Sequence, residues 1–89
     1  MIHQVVRIEN DLGLHARAAA KLVRLTARFE ADIKLSTRSP SRTVDGKSIL
    51  GILLLAASQG TEVEITADGK DEQEAMQAIV DLVEGRFGE

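Results

Sequence analysis

Residues 13–17 read Gly-Leu-His-Ala-Arg. A histidine and an arginine two places apart pair a nucleophilic ring nitrogen with a bidentate donor for oxyanions. Alanines follow with helical spacing, so His15 stands where a helix normally takes Ser, Thr, Asp or Asn as its cap. There the ring lies beside unpaired backbone N–H groups and the positive end of the helix dipole. Those groups favour neutral imidazole with a free lone pair, and a histidine is mostly neutral at pH 7 in any case. They also suit an anion attached to the ring, because a helix N-terminus is a ready phosphate site. Nucleophile, anion cradle and guanidinium together describe covalent phosphoryl transfer through histidine. The competing reading is a histidine that merely caps the helix, and spacing alone leaves both open.

A second stretch, Asp45-Gly46-Lys47-Ser48, ends like a nucleotide-binding P-loop. That motif needs a glycine five residues before Gly46, where this chain has Ser41, and no long strand precedes it. The P-loop reading is rejected. Ser48 instead reads as a helix N-cap. The helix that follows is unusually apolar: Ile49, Leu50, Ile52, Leu53, Leu54 and Leu55 cover nearly its whole circumference. A helix lying on one sheet face needs a stripe of only ~100° or slightly more. Unless neighbouring helices bury the surplus, an apolar patch is exposed, and such patches mark partner sites.

The elements that must position these residues follow from periodicity. Residues 2–9 are rich in β-branched side chains and predict a strand. From Ala16 to Phe29 the pattern is helical, with Ala18, Leu22, Leu25 and Phe29 in one core stripe. Arg17, Lys21, Arg24 and Arg28 form a basic row on the same helix; by itself a solvated face would explain it. Ala16, Ala20 and Ala27 lie beside that row, away from the core. Strands are expected over 31–38, 42–44 and 61–68, separated by the Ser39-Pro40-Ser41 turn and by a helix over 47–58. A last helix is expected from Asp71 to Arg86, its acidic start suiting the positive helix end. The order is βαββαβα, one domain over residues 1–89. An α+β fold with a four-stranded antiparallel sheet and three helices on one face buries all these stripes economically. The first six elements also fit a ferredoxin-like domain.

Composition narrows the function. The chain has 89 residues, enough for one core without staples, and no cysteine, which excludes disulfides and thiolate metal sites. A reducing cytoplasm is the default location. No signal peptide or membrane-spanning run is evident, so no membrane insertion is expected. A net charge of −3 and only two aromatic residues, Phe29 and Phe87, speak against nucleic acid as a partner. His3 reads as a surface residue, and a His3–His15 metal site would lack further ligands. No metal or cofactor is expected.

The blocks "GLHARAAAKLV" and "DGKSILGILLLAASQGTEVEI" resemble the HPr family, the histidine phosphocarriers of the bacterial phosphoenolpyruvate-dependent phosphotransferase system. The likeness covers essentially the whole chain. Family members carry Gly-(Ile/Leu)-His-x-Arg-Pro-Ala; this chain matches at Gly13, Leu14, His15, Arg17 and Ala19 and has Ala18 where proline is usual. The resemblance implies an open-faced β-sandwich and a phosphocarrier, not an enzyme. It implies that His15 accepts a phosphoryl group on Nδ1 from enzyme I and passes it to enzyme IIA domains, with Arg17 steadying the phosphate. It implies a docking face of Ala16, Ala20, Arg24, Ile49, Leu50 and Leu53, and regulatory phosphorylation at Ser48 by HPr kinase/phosphorylase. A cytoplasmic monomer serving sugar transport and carbon regulation is expected. Ala18 keeps open a regulatory or nitrogen-related branch of the same system. A ferredoxin-like small-molecule or metal-binding module is the remaining alternative, and it leaves "GLHAR" and the apolar helix unexplained.

Overall fold

The computed structural model describes residues 1–89. Its elements run β1 (Ile2–Arg7), α1 (Ala16–Thr26), β2 (Asp32–Arg38), β3 (Ser41–Asp45), α2 (Ile49–Leu55), β4 (Glu62–Asp68) and α3 (Glu72–Glu84), followed by a 3₁₀ turn over Arg86–Gly88. The order is the expected βαββαβα. The four strands form one antiparallel sheet in the order β1-β4-β2-β3. Cross-strand partners such as Val6 with Val63 and Leu35 with Ile65 put the apolar residues on one face. That alternation is the period-2 pattern read from the sequence, and it specifies register because a one-residue slip would expose the whole set. The three helices cover this face, while His3, Val5, Arg7 and Lys34 on the other stay exposed.

One core of 21 buried side chains lies between sheet and helices. Its centre is Ile33, Ile65, Leu22, Ile52 and Ile79, each with almost no exposed surface. The expected partners Leu25 and Phe29 pack only at its edge, whereas Ala19 and Thr26 are buried. Thr26 satisfies its hydroxyl by donating to the carbonyl of Gly46 at 2.8 Å, tying α1 to the start of α2.

Element ends differ from the sequence reading for identifiable reasons. Helix α1 stops three residues before Phe29. There the N–H of Phe29 turns back to the Thr26 carbonyl, and the carboxylate of Asp71 takes the N–H groups of Glu30 and Ala31 at 2.9 and 2.8 Å. Helix α2 is shorter than 47–58. It begins after Ser48 and ends at Leu55, because Ala56 adopts a left-handed φ of 56°. The guanidinium of Arg42 then caps the free carbonyl of Leu54 at 2.6 Å. Helix α3 ends at Glu84, and the chain beyond Gly85 leaves the helix through two non-glycine residues, Arg86 and Phe87, both at φ 56°. No helix is long and apolar enough to cross a membrane.

Candidate functional site

The site starts from Gly13. Its φ is +63°, and a Cβ there would lie 2.5 Å from the Ala57 carbonyl oxygen. Only glycine combines that backbone with that approach. The adjacent Leu14 donates its N–H to the same carbonyl at 2.9 Å and buries its side chain. The loop before α1 is thereby pinned against the chain leaving α2. Asn10, itself buried, adds a bond from Nδ2 to the Gly13 carbonyl at 2.7 Å. These contacts deliver His15, in extended conformation, to the N-cap of α1.

His15 takes the capping geometry, its ring turned to the start of the helix. Nδ1 accepts the backbone N–H of Arg17 at 3.3 Å. That contact fixes the free lone pair on Nδ1 and the ring proton on Nε2. Nε2 in turn lies 2.9 Å from Oε1 of Glu89. The second carboxylate oxygen of Glu89 accepts from Nε of Arg17 at 2.7 Å, and Nζ of Lys21 lies 3.9 Å away. Lys21 also donates to the Phe87 carbonyl at 2.6 Å. Hydrogen bonds from Arg17 and His15 hold the Glu89 carboxyl down at about 2, and the same bond to Glu89 raises the Arg17 guanidinium. Glu89 keeps 16% of its side-chain surface exposed although the residue as a whole stands at the surface.

The structure brings His15 and Arg17 together and adds Glu89, which sequence reasoning missed. The residues that contact Glu89 lie 72 and 74 positions earlier in the chain, and no periodicity marks such a pairing. The one signal in residues 85–89 is the aromatic Phe87, whose burial anchors this segment. The basic row splits: Arg17 and Lys21 turn to this segment, whereas Arg24 and Arg28 remain exposed. Arg24 makes only a long bond to the Ala20 carbonyl, at 3.4 Å. Ala16 is exposed and Ala20 half-buried beside it. Ala18 is fully buried, and its N–H at the third helical position has no backbone acceptor, so the usual proline would forfeit no helical hydrogen bond here.

On α2, Ser48 is the N-cap, its hydroxyl accepting the Gly51 N–H at 3.0 Å. Ile52 and Leu55 enter the core. Ile49, Leu50, Leu53 and Leu54 stay 45, 67, 37 and 60% exposed, so neighbouring helices do not absorb the apolar surplus. Leu54 joins the three residues named from the sequence. His3 is exposed and 3.3 Å from Glu64, and no cluster of three or more His, Cys, Asp or Glu residues is placed to hold a metal ion. A concavity on the open sheet face, lined by residues such as Arg7, Ser36, Arg38 and Thr43, contains none of the residues around His15.

The family model described as "PTS HPr component phosphorylation site" matches residues 2–85. The phosphocarrier protein HPr of Xylella fastidiosa is 49% identical over 89 residues, covering 100% of this chain and 98% of that protein. HPr of Neisseria meningitidis is 47% identical with the same coverage. The crystal structure of HPr-C-His from Thermoanaerobacter tengcongensis superposes with a TM-score of 0.94 at 43% identity, covering 100% of this chain and 98% of that one. Coverage of this extent in both directions means that the likeness is to the whole fold and not to one motif. It decides against the ferredoxin-like module.

Proposed function

The chain belongs to the HPr family, phosphocarriers of the phosphotransferase system, and we propose that within it His15 is the residue that carries the phosphoryl group. It is a carrier and not a catalytic enzyme, and its partners are proteins of that system. The observation that carries the assignment is the His15 ring at the α1 N-cap, with Nδ1 turned to the helix N–H groups and Nε2 tied to Glu89.

The Nδ1 lone pair attacks the phosphorus held by phosphorylated enzyme I. The new N–P bond forms as the bond to the donor breaks, and the Nε2 proton stays in place. The N–H of Arg17 turns from the lone pair to a phosphoryl oxygen, joined by the free N–H of Ala18 at the dipole's positive end. The Arg17 guanidinium supplies its two Nη groups, which make no other hydrogen bond. Enzyme IIA domains then take the group by the reverse displacement. Docking uses Ala16, Ala20 and Arg24 on α1 and Ile49, Leu50 and Leu53 on α2, basic and apolar residues of two helices that pack together. Phosphorylation of Ser48 by HPr kinase/phosphorylase would place about −1.5 to −2 charges beside the exposed leucines. At a helix start the fold tolerates that charge, while an acidic partner is repelled. We place the carrier in the cytoplasm as a monomer of one domain.

Incubation with phosphoenolpyruvate and enzyme I, followed by intact mass, tests the assignment. The parent gains one acid-labile phosphoryl group and His15→Ala gains none. A phosphoryl group on His15→Ala would refute it.

A further inference from the structure

A histidine has two nucleophilic nitrogens, and phosphoryl transfer through this ring needs one of them chosen. Here each nitrogen has a different partner. Nδ1 accepts the Arg17 N–H over a long 3.3 Å, a contact that a phosphoryl group can displace. Nε2 faces the Glu89 carboxylate at 2.9 Å. The His15 side chain keeps 22% of its surface exposed, and at Nε2 the carboxylate occupies the place an incoming phosphoryl group would need.

The segment that brings Glu89 to the ring is built to hold it there. Phe87 is 1% exposed within the core, and it occupies the left-handed region that a bulky residue rarely adopts. Its carbonyl is bonded to Lys21 of α1. Gly88, at φ +73°, completes the reversal that turns the carboxylate back toward α1. The carboxylate then bridges the nucleophile and the guanidinium with its two oxygens, leaving the Nη groups of Arg17 free. The other charged groups around it are Lys21 on α1 and, lining the same groove, Asp11 of the loop before α1 and Arg86.

We propose that Glu89 is a positioning residue that makes phosphorylation of His15 selective for Nδ1, by retaining the proton on Nε2, shielding that nitrogen, and holding Arg17 in one frame with the ring. The logic is that of the carboxylate in a hydrolytic triad, which orients its histidine and fixes the tautomer without itself becoming protonated. The inference rests on His15 being the carrier.

The test uses a small donor that needs no docking face. The full chain, Glu89→Ala, Glu89→Gln and Phe87→Ala are treated with phosphoramidate, which transfers its phosphoryl group to imidazole nitrogen and releases ammonia. The attachment point is read from ³¹P–¹⁵N correlations on the His15 ring. The parent should give Nδ1-phosphohistidine in at least about tenfold excess. In Glu89→Ala the excess should fall at least about fivefold as Nε2-phosphohistidine appears. Phe87→Ala, which releases the anchor, should move the same way. Glu89→Gln, which can still accept the Nε2 proton, should retain most of the selectivity. With phosphorylated enzyme I as donor, Glu89→Ala should lose about tenfold in kcat with little change in KM, since geometry and not docking is affected. An unchanged Nδ1 to Nε2 ratio in Glu89→Ala, or a parent that already gives both products, overturns the inference while leaving His15 as the carrier. Phosphorylation that persists in His15→Ala removes the carrier reading itself.

Discussion

Helices α1 and α2 begin in the same way and are surrounded differently. Each has an extended N-cap whose side chain accepts a backbone N–H: His15 from Arg17, Ser48 from Gly51. Each cap could hold a phosphoryl group at the positive end of a helix. Around His15 stand Arg17, Lys21 and Glu89, fixed by a buried aromatic. Around Ser48 stand exposed leucines and no ion pair. A capped helix start is therefore only a platform. The charged and anchored one is suited to chemistry, and the apolar one to being covered by a partner.

Breaking the anchor should separate the two regions most sharply. Phe87→Ala removes a fully buried aromatic and should cost about 3–5 kcal/mol of stability in urea unfolding. In the fraction that remains folded, Glu89 should lose its hold on His15 while the Ser48–Gly51 bond persists. Amide exchange at Arg17 and Gly51 distinguishes the two. A milder break is Arg17→Ala, which removes a charged donor from the phosphoryl group. Phosphoryl acceptance should fall by about 100-fold, the size of effect seen when a positioned oxyanion donor is removed. The α2 face is probed by Leu50→Glu. Stability should change by less than about 0.5 kcal/mol, as for exposed positions generally. Transfer from enzyme I should nevertheless weaken by about tenfold through KM, whereas phosphorylation by phosphoramidate should stay as in the parent. Ser48→Ala should cost about 1 kcal/mol through the lost cap and leave phosphoryl acceptance at His15 unaltered.

Acid sharpens the contrast with the least effect. The Glu89 carboxyl is held at about 2 against an ordinary 4.5, chiefly by its bond from Arg17 and then by His15. A depressed carboxyl contributes stability above its unfolded value and loses it as pH falls through the folded one. The contacts at α1 should thus be fully present above pH 4.5 and disappear toward pH 2. The difference in stability between the parent and Glu89→Gln should shrink over the same window. The Ser48 cap, which does not titrate, should show no such window.

Much of this was legible in the sequence because it rests on local rules. Alternation marked the strands over 31–38 and 61–68, and the excess of leucine over one stripe left α2 either buried by its neighbours or partly exposed, a choice that the family resemblance made. The element order followed from both. The ends of helices were less legible, since Asp71 and Arg42 terminate α1 and α2 from distant parts of the chain. Leu25 and Phe29 have core spacing, yet α1 stops before Phe29 and leaves it at the rim. His15 and Arg17 stood out because a histidine at an N-cap is an unusual choice. Glu89 did not, because its place beside His15 comes from a reversal at Phe87 and Gly88 that no helical or strand pattern encodes.

The measurement closest to the central claim is ³¹P and ¹⁵N spectroscopy of the chain after phosphorylation by phosphoenolpyruvate and enzyme I. The account predicts a single phosphorus coupled to Nδ1 of His15, with Nε2 still carrying its proton. Phosphorus on Nε2, or on any residue other than His15, would contradict it.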